Sequence, residues 1–265
     1  MKSTHVLMFA ATLVGCTRPP EAPAELNELS AYLYRSWGAE NEAEREVGLD
    51  SLIDFLEGVD LEGALNDRSW ELTPLTPDDL WDIRWPEERD PADVLGVAVA
   101  RQSTWAPDAH AMLQIQEDQL PAEPSANSYV RSIDISDPTC FPEQSCEVIF
   151  TVNEVTRQNL LISVDFTLYK DFRWVETSRG PAMMGRSYVD QVWVGNGGNN
   201  SILQSYSCDI WLPDGNGGAW RYQTLWSESD VAASDALTIA TLKASIDNIL
   251  ETGDEVITEM AEARR

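Results

Sequence analysis

Histidine is almost missing from this chain: two occur in 265 residues, His5 and His110. Multi-histidine metal sites and the zinc-hydrolase motifs therefore cannot be built. A Ser-His-Asp set would have to use His110, and no G-x-S-x-G turn is present to carry its nucleophile. Lysine is scarce too, three against 15 arginines, and these 18 bases face 45 acids for a formal charge of −27. That deficit argues against nucleic acid and against an anionic lipid surface, since both need clustered bases. The glycine–asparagine stretch at 195–200 has no following helix or lysine to make it a phosphate loop. Asp214-Gly215-Asn216-Gly217 lacks the later ligands of a calcium loop. No catalytic residue, metal or cofactor is expected. The many acids and ten tryptophans would suit glycan hydrolysis, but nothing in the sequence selects a carboxylate pair.

What the chain does have begins at its start. Lys2 is followed by nine apolar residues at 6–14 (VLMFAATLV), then Gly15 and Cys16. This run is far short of the roughly 20 residues of a spanning helix. A short basic start, an apolar core and a small-residue end make the plan of an export signal. Leu13-Val14-Gly15-Cys16 resembles the lipobox of bacterial lipoproteins. The resemblance covers the first 16 residues only. It implies cleavage before Cys16, acylation of Cys16 and attachment to a membrane through acyl chains, each buried methylene contributing about 0.8 kcal/mol. Thr17, where inner-membrane members of that class carry Asp, implies the outer membrane. Residues 1–15 are expected to be a signal peptide, and 16–24 the lipidated Cys16 with a proline-rich tether. Residues 25–265 are expected to form one acidic globular domain of the cell envelope.

With Cys16 acylated, Cys140, Cys146 and Cys208 remain. An exported chain meets an oxidising compartment. There Cys140 and Cys146 are expected to bridge, closing a loop that contributes about 2.4 kcal/mol by chain entropy. Cys208 is expected to be a small buried residue.

Residues 25–63 read as helical. Leu26, Leu29, Leu33 and Trp37 make one stripe, Leu49, Leu52, Ile53 and Leu56 a second, with the break placed at Gly48. Residues 66–93 are rich in Pro, Asp and Trp and read as a connection packed by its own aromatics, with one short helix starting at Thr76-Pro77. Residues 94–228 read mostly as strands: 94–103, 111–116, 129–135, a strand through Val148, Phe150 and Val152, a turn at 154–158, an alternating strand at 160–169, then 186–194, 201–212 and 219–226. Their alternation assigns Tyr206, Cys208, Ile210 and Leu212, with Trp220, Tyr222 and Trp226, to one apolar face. Residues 230–262 read as a long helix. Its stripe runs through Ile239, Leu242, Ile246, Ile249, Gly253, Val256 and Met260, and Ser234 or Asp235 caps its start.

The expected fold is α+β: an antiparallel meander with N-terminal helices and a long C-terminal helix packed on one face. Over about residues 94–262 this element order is similar to the helix-grip fold of START-type lipid-transfer domains. In that fold a curved sheet wraps a final helix and leaves an apolar cavity. No residue motif matches, so no functional residue follows from the likeness. The main expectation is a non-enzymatic envelope lipoprotein acting as a structural or interaction module, with an envelope protein as partner. The alternative is a carrier of an apolar ligand, in a pocket between sheet and final helix lined by Tyr206, Trp220, Tyr222 and Trp226. An envelope glycan hydrolase is the third.

Overall fold

The computed structural model describes residues 20–158, 163–195, 200–230 and 233–264. The leader, Cys16 and most of the tether lie outside the described residues, as does most of the 195–200 joint.

Two helices come first, α1 (Leu26–Ser36) and α2 (Glu42–Leu56). Both stripes read from the sequence are buried, Leu29, Leu33, Leu49 and Leu52 completely so. Burying each such leucine contributes about 1.5–3 kcal/mol. The break falls at residues 37–41, where Asn41 caps α2 by accepting from the Ala43 N–H. Gly48 is not the break; it lies inside α2 against α1. A Cβ there would come within 3.0 Å of Leu33 Cδ2 and Tyr32 Cε1. Glycine serves this position by letting the two helices approach closely.

Eight strands form one antiparallel sheet: β1 (Ser69–Leu72), β2 (Leu95–Ser103), β3 (Ser128–Ile133), β4 (Val148–Gln158), β5 (Ser163–Thr177), β6 (Gly180–Tyr188), β7 (Ile202–Pro213) and β8 (Ala219–Ser229). Their order is β1-β2-β8-β7-β6-β5-β4-β3. Strands β4 to β8 are the expected meander. β2 pairs with β8 rather than with β3, so the chain crosses to the far edge before β3. That crossing contains α3 (Pro107–Gln114), which includes most of the segment expected as a strand at 111–116. Pro107 at the first helical position favours the helix start. The expected turn at 154–158 is instead the end of β4, paired with β5 as far as Gln158↔Ser163. The strand expected at 186–194 runs earlier, over β6. Asp214 holds the β7–β8 turn by accepting from the N–H groups of Asn216 (2.7 Å) and Gly218 (2.9 Å). Gly215 and Gly217 supply the positive φ that this turn needs.

The long helix α4 (Asp235–Ala263) closes the chain, capped by the Ser234 hydroxyl as expected. The sheet therefore has two covered faces. On the inner face Val97 and Val99 of β2 pack against Ile246 and Leu250 of α4. On the outer face α1 and α2 pack over β1, β2, β8, β7 and β6, forming the largest apolar core. α2 also covers the end of β5 at Val175, whereas the outer face of β3, β4 and the part of β5 around residues 169–173 has no described helix of comparable length over it. The Cys140–Cys146 disulfide is present and lies just before β4.

Candidate functional site

The four aromatics expected to line a pocket against the final helix lie on the other side of the sheet. In the register Tyr206 faces Trp226 and Ile210 faces Tyr222, and all of them project under α1 and α2. Tyr34 of α1 makes edge contacts with Tyr206 and Trp226 at ring centroid distances of 6.2 and 5.8 Å. The Tyr222 hydroxyl and Ser30 Oγ are 2.7 Å apart. The Trp226 indole covers Gly96 and donates to the Thr73 carbonyl at 2.9 Å. Trp220 is half-buried at the rim, with the Arg179 guanidinium over its ring. These side chains are core. The N-terminal helices supply the apolar cover that the sequence reading assigned to α4, because both helical stripes needed an apolar partner.

The sheet–α4 interface is polar at its centre. Lys170 and Asp209 form an ion pair at 2.6 Å. Arg131 donates to Asn153 (2.7 Å) and to the Gln114 carbonyl (2.5 Å). Arg221 pairs with Asp254 at 3.0 Å and also donates to the Leu250 carbonyl. The enclosed space among these groups is about 30 Å³. As room for the centres of water molecules, that volume admits on the order of two waters. No apolar cargo fits there as the interface stands.

One part of this interface brings Ser, His and Asp together. Ser103 Oγ lies 3.0 Å from His110 Nε2, and Asp254 lies 3.8 Å from that same nitrogen. A catalytic relay needs the carboxylate on Nδ1 and the hydroxyl on Nε2. Here both partners meet Nε2, Nδ1 is buried without a partner, and Ser103 is 1% exposed. The arrangement is a packed cluster. Burial, and the neighbouring Arg221, hold the His110 pKa well below its usual value.

The outer face of β3–β5 is different. An open cleft of about 650 Å³ lies there between the sheet, the end of α1 and the segment around Asp82. Its floor is Phe150 and Val152 of β4, Tyr169, Asp171 and Arg173 of β5, and Arg186 and Tyr188 of β6; Trp37, just past α1, forms a wall. The registers Phe150↔Asp171↔Arg186 and Val152↔Tyr169↔Tyr188 put these side chains on one face. Phe150 is 52% exposed and Val152 is 40% exposed. Tyr169 and Tyr188 stack at 5.3 Å. Trp37 meets Phe150 edge-on, and the Arg173 and Arg186 guanidinium carbons each lie 4.5 Å from the Trp37 ring centroid.

The charges of this cleft are unevenly matched. Arg186 Nη1 bonds both Asp82 oxygens, at 2.8 and 2.9 Å. Gly38 makes room for that carboxylate, since a Cβ there would overlap Asp82. Asp171 is pushed up to about 6 by burial, against the pull of Arg186. Arg173 is pushed down to about 10 by burial and by the like charges of Arg45 and Arg186. Tyr188 is raised to about 12 by burial and the Asp171 charge. Shifted titratable groups in a cleft with exposed aromatics make it the candidate site.

The sequence gives Val148, Phe150 and Val152 as the alternating apolar row of their strand but not the side of the sheet on which that row lies. The burial is reversed at the middle of β4. Thr151 and Asn153 are buried on the inner face, while Phe150 and Val152 face out. Among the described residues no cluster of metal-ligating side chains is present, and no described helix is long and apolar enough to cross a membrane.

No family model matches this chain, and no curated protein matches its sequence. Solved structures do resemble it in fold. A STAR-related lipid transfer protein from Xanthomonas axonopodis (fragment 25–204) superposes with a TM-score of 0.45 at 10% identity, over 63% of this chain and 87% of that one. Human StAR-related lipid transfer protein 5 gives 0.43 at 7% identity, over 66% of this chain and 80% of that one. Likenesses this distant assign no ligand, so the reading of function rests on the cleft itself.

Proposed function

We propose that this chain is a non-enzymatic ligand-binding lipoprotein of the cell envelope, anchored to the outer membrane through acyl chains on Cys16. Its acidic domain binds a small amphipathic molecule in the outer-face cleft. The observation that supports this most is the reversal in β4, which spends buried positions on Thr151 and Asn153 and leaves Phe150 and Val152 exposed above a cavity of ligand size. The carrier reading is kept, with its site moved. The sheet–α4 interface is occupied by ion pairs, and the apolar surface free to meet a ligand is on the other side.

Two measurements test this. Cells labelled with an acyl-chain precursor should incorporate it into the wild-type chain and not into Cys16→Ala. Native mass spectrometry of protein taken from its own envelope should show a bound small molecule that Phe150→Glu loses. A bare wild-type protein across several extraction conditions would contradict the carrier reading.

A further inference from the structure

From the geometry we infer that the outer-face cleft is an anion site, in which Arg173 grips the carboxylate or phosphate head of an amphipathic ligand while Phe150 and Val152 carry its apolar part. The inference rests on the cleft being the ligand site and adds the chemical class of what binds there.

The argument begins with hydrogen-bond satisfaction. Buried donors in folded proteins almost always find acceptors. In this cleft three do not: Trp37 Nε1, Arg173 Nε and Arg186 Nε are buried with no acceptor. No buried acceptor among the described cleft residues is left unpaired, so the imbalance has one sign.

Arg173 is the most open of these groups. Among the described residues its Nε has no hydrogen-bond acceptor, and the acids that act on it do so by charge alone. Of the charged groups near it, Asp171 lies two residues away on the same face and interacts with it by charge without an ion pair, and Asp134 also lines the cleft. Arg186 on β6 is held by Asp82. Arg45 on α2 is buried and donates to the Ala39 carbonyl. Glu42 and Glu147 lie close enough to favour the Arg173 charge without hydrogen-bonding it. A desolvated guanidinium stacked on an indole, beside two further guanidinium groups, is a strong and pre-oriented binder of planar or tetrahedral oxyanions.

The apolar part of the class comes from the same lining. Phe150 and Val152 extend along β4 from the position opposite Arg173's strand, and the stacked Tyr169–Tyr188 pair continues the floor. A fully polar anion would leave this surface wet, and a neutral apolar molecule would leave Arg173 unmatched. The overall charge of −27 opposes anions at long range. At physiological ionic strength that repulsion is screened beyond about 8 Å, so the groups lining the cleft decide: Asp82 is taken up by Arg186, and Arg173 stands against Asp134 and Asp171.

The test uses the full chain in neutral phosphatidylcholine nanodiscs, with empty nanodiscs subtracted. Three probes share one apolar body: 4-phenylbutyrate, 4-phenylbutyl phosphate and 4-phenylbutanol. Binding is read by calorimetry and by Trp37-sensitive fluorescence. Both anions are expected to bind at least about tenfold more tightly than the alcohol, one charge-assisted pair contributing on that scale. The ratio of phosphate to carboxylate affinity tells which head is native. Arg173→Gln should bring the anion-to-alcohol ratio close to one, and Arg173→Lys should keep part of it. Val152→Glu, at an exposed position, should lower the same ratio without touching Arg173. If the alcohol binds wild type as tightly as the anions, or if Arg173→Gln keeps the preference, the inference is overturned while the cleft remains a ligand site. If none of the three probes binds, the cleft reading and the inference fall together.

Discussion

The two faces of strands β3–β5 carry opposite chemistry to their settings. The inner face is sealed, yet it holds Lys170, Arg131, Thr151 and Asn153, with Asp209 of the neighbouring β7 against Lys170. The outer face is open, yet it presents Phe150, Val152 and stacked tyrosines. An ordinary half-buried strand would have this the other way round. The inner groups are tolerated because each finds a partner: Lys170 has Asp209, Arg131 has Asn153 and Gln114, and Asn153 also donates to the Leu168 carbonyl at 2.8 Å. These pairings fix one arrangement of the sheet and its covering helix and fill the space between them. The outer apolar row has no such structural role, which is why a ligand is the simplest reason for it.

The largest effect should come from breaking the inner face. Asp209→Asn leaves the Lys170 ammonium buried without its charge partner, and should cost about 3–5 kcal/mol of unfolding free energy in urea titrations. Replacing both together, Lys170→Met with Asp209→Leu, should be far milder, because neither charge is then stranded. Equal losses in the single and double variants would mean that the pair is not desolvated.

The next effect is on the outer face and has the opposite sign. Asp171 is raised from 3.8 to about 6 on folding, so the folded state holds its proton more tightly than the unfolded chain does. The resulting penalty is absent below pH 4, grows between pH 4 and 6, and is complete above. Asp171→Asn should therefore stabilise the protein by about 2–3 kcal/mol at pH 8 and have little effect at pH 3.5. Thermal melts across that range check the sign.

His110 sharpens the contrast from the inner side. Its depressed pKa means that the stability it contributes is present above the unfolded value near 6.5 and is lost as pH falls below it. Wild type should lose stability on acidification through that range, and His110→Gln should flatten the loss. The smallest change in stability should come from Phe150→Ser, within about 0.5 kcal/mol, as for other exposed positions. Probe binding should nevertheless fall steeply. A large loss of stability in Phe150→Ser would make that row structural and remove the distinction between the faces.

Much of this architecture was legible before the coordinates. The stripes of α1 and α2, the hairpin chemistry at 214–218, the meander from β4 onward and the Cys140–Cys146 bridge all rest on short-range signals, where spacing and turn residues decide the outcome; on α4 the stripe found Ile246 and Gly253, but Leu250 and Ile257 are buried beside them rather than Ile249 and Val256. What was not legible depended on which face of the sheet met which helix. Tyr206, Tyr222 and Trp226 were assigned correctly to one apolar face, but an alternating strand does not say what covers it. Two sets of helices competed for that face, and α1 with α2 took it. Gly253, within the stripe read on α4, meets strand β8 closely: a Cβ there would lie 3.2 Å from the Arg221 guanidinium. The outer cleft was missed for the related reason that the alternation of Phe150 and Val152 shows one row of a strand but not what, if anything, covers it. The signal that could have found it was Thr151 and Asn153 in a strand whose other face was already apolar.

The most direct measurement is a backbone amide chemical-shift map of the full chain titrated with 4-phenylbutyrate. Binding at the outer face predicts that the largest shifts fall at Trp37, Phe150, Val152, Arg173 and Tyr188, with Arg221, Leu250 and Gly253 unmoved. Shifts concentrated on Arg221, Leu250 and Gly253 would place the ligand between the sheet and α4 and contradict the assignment of the outer face.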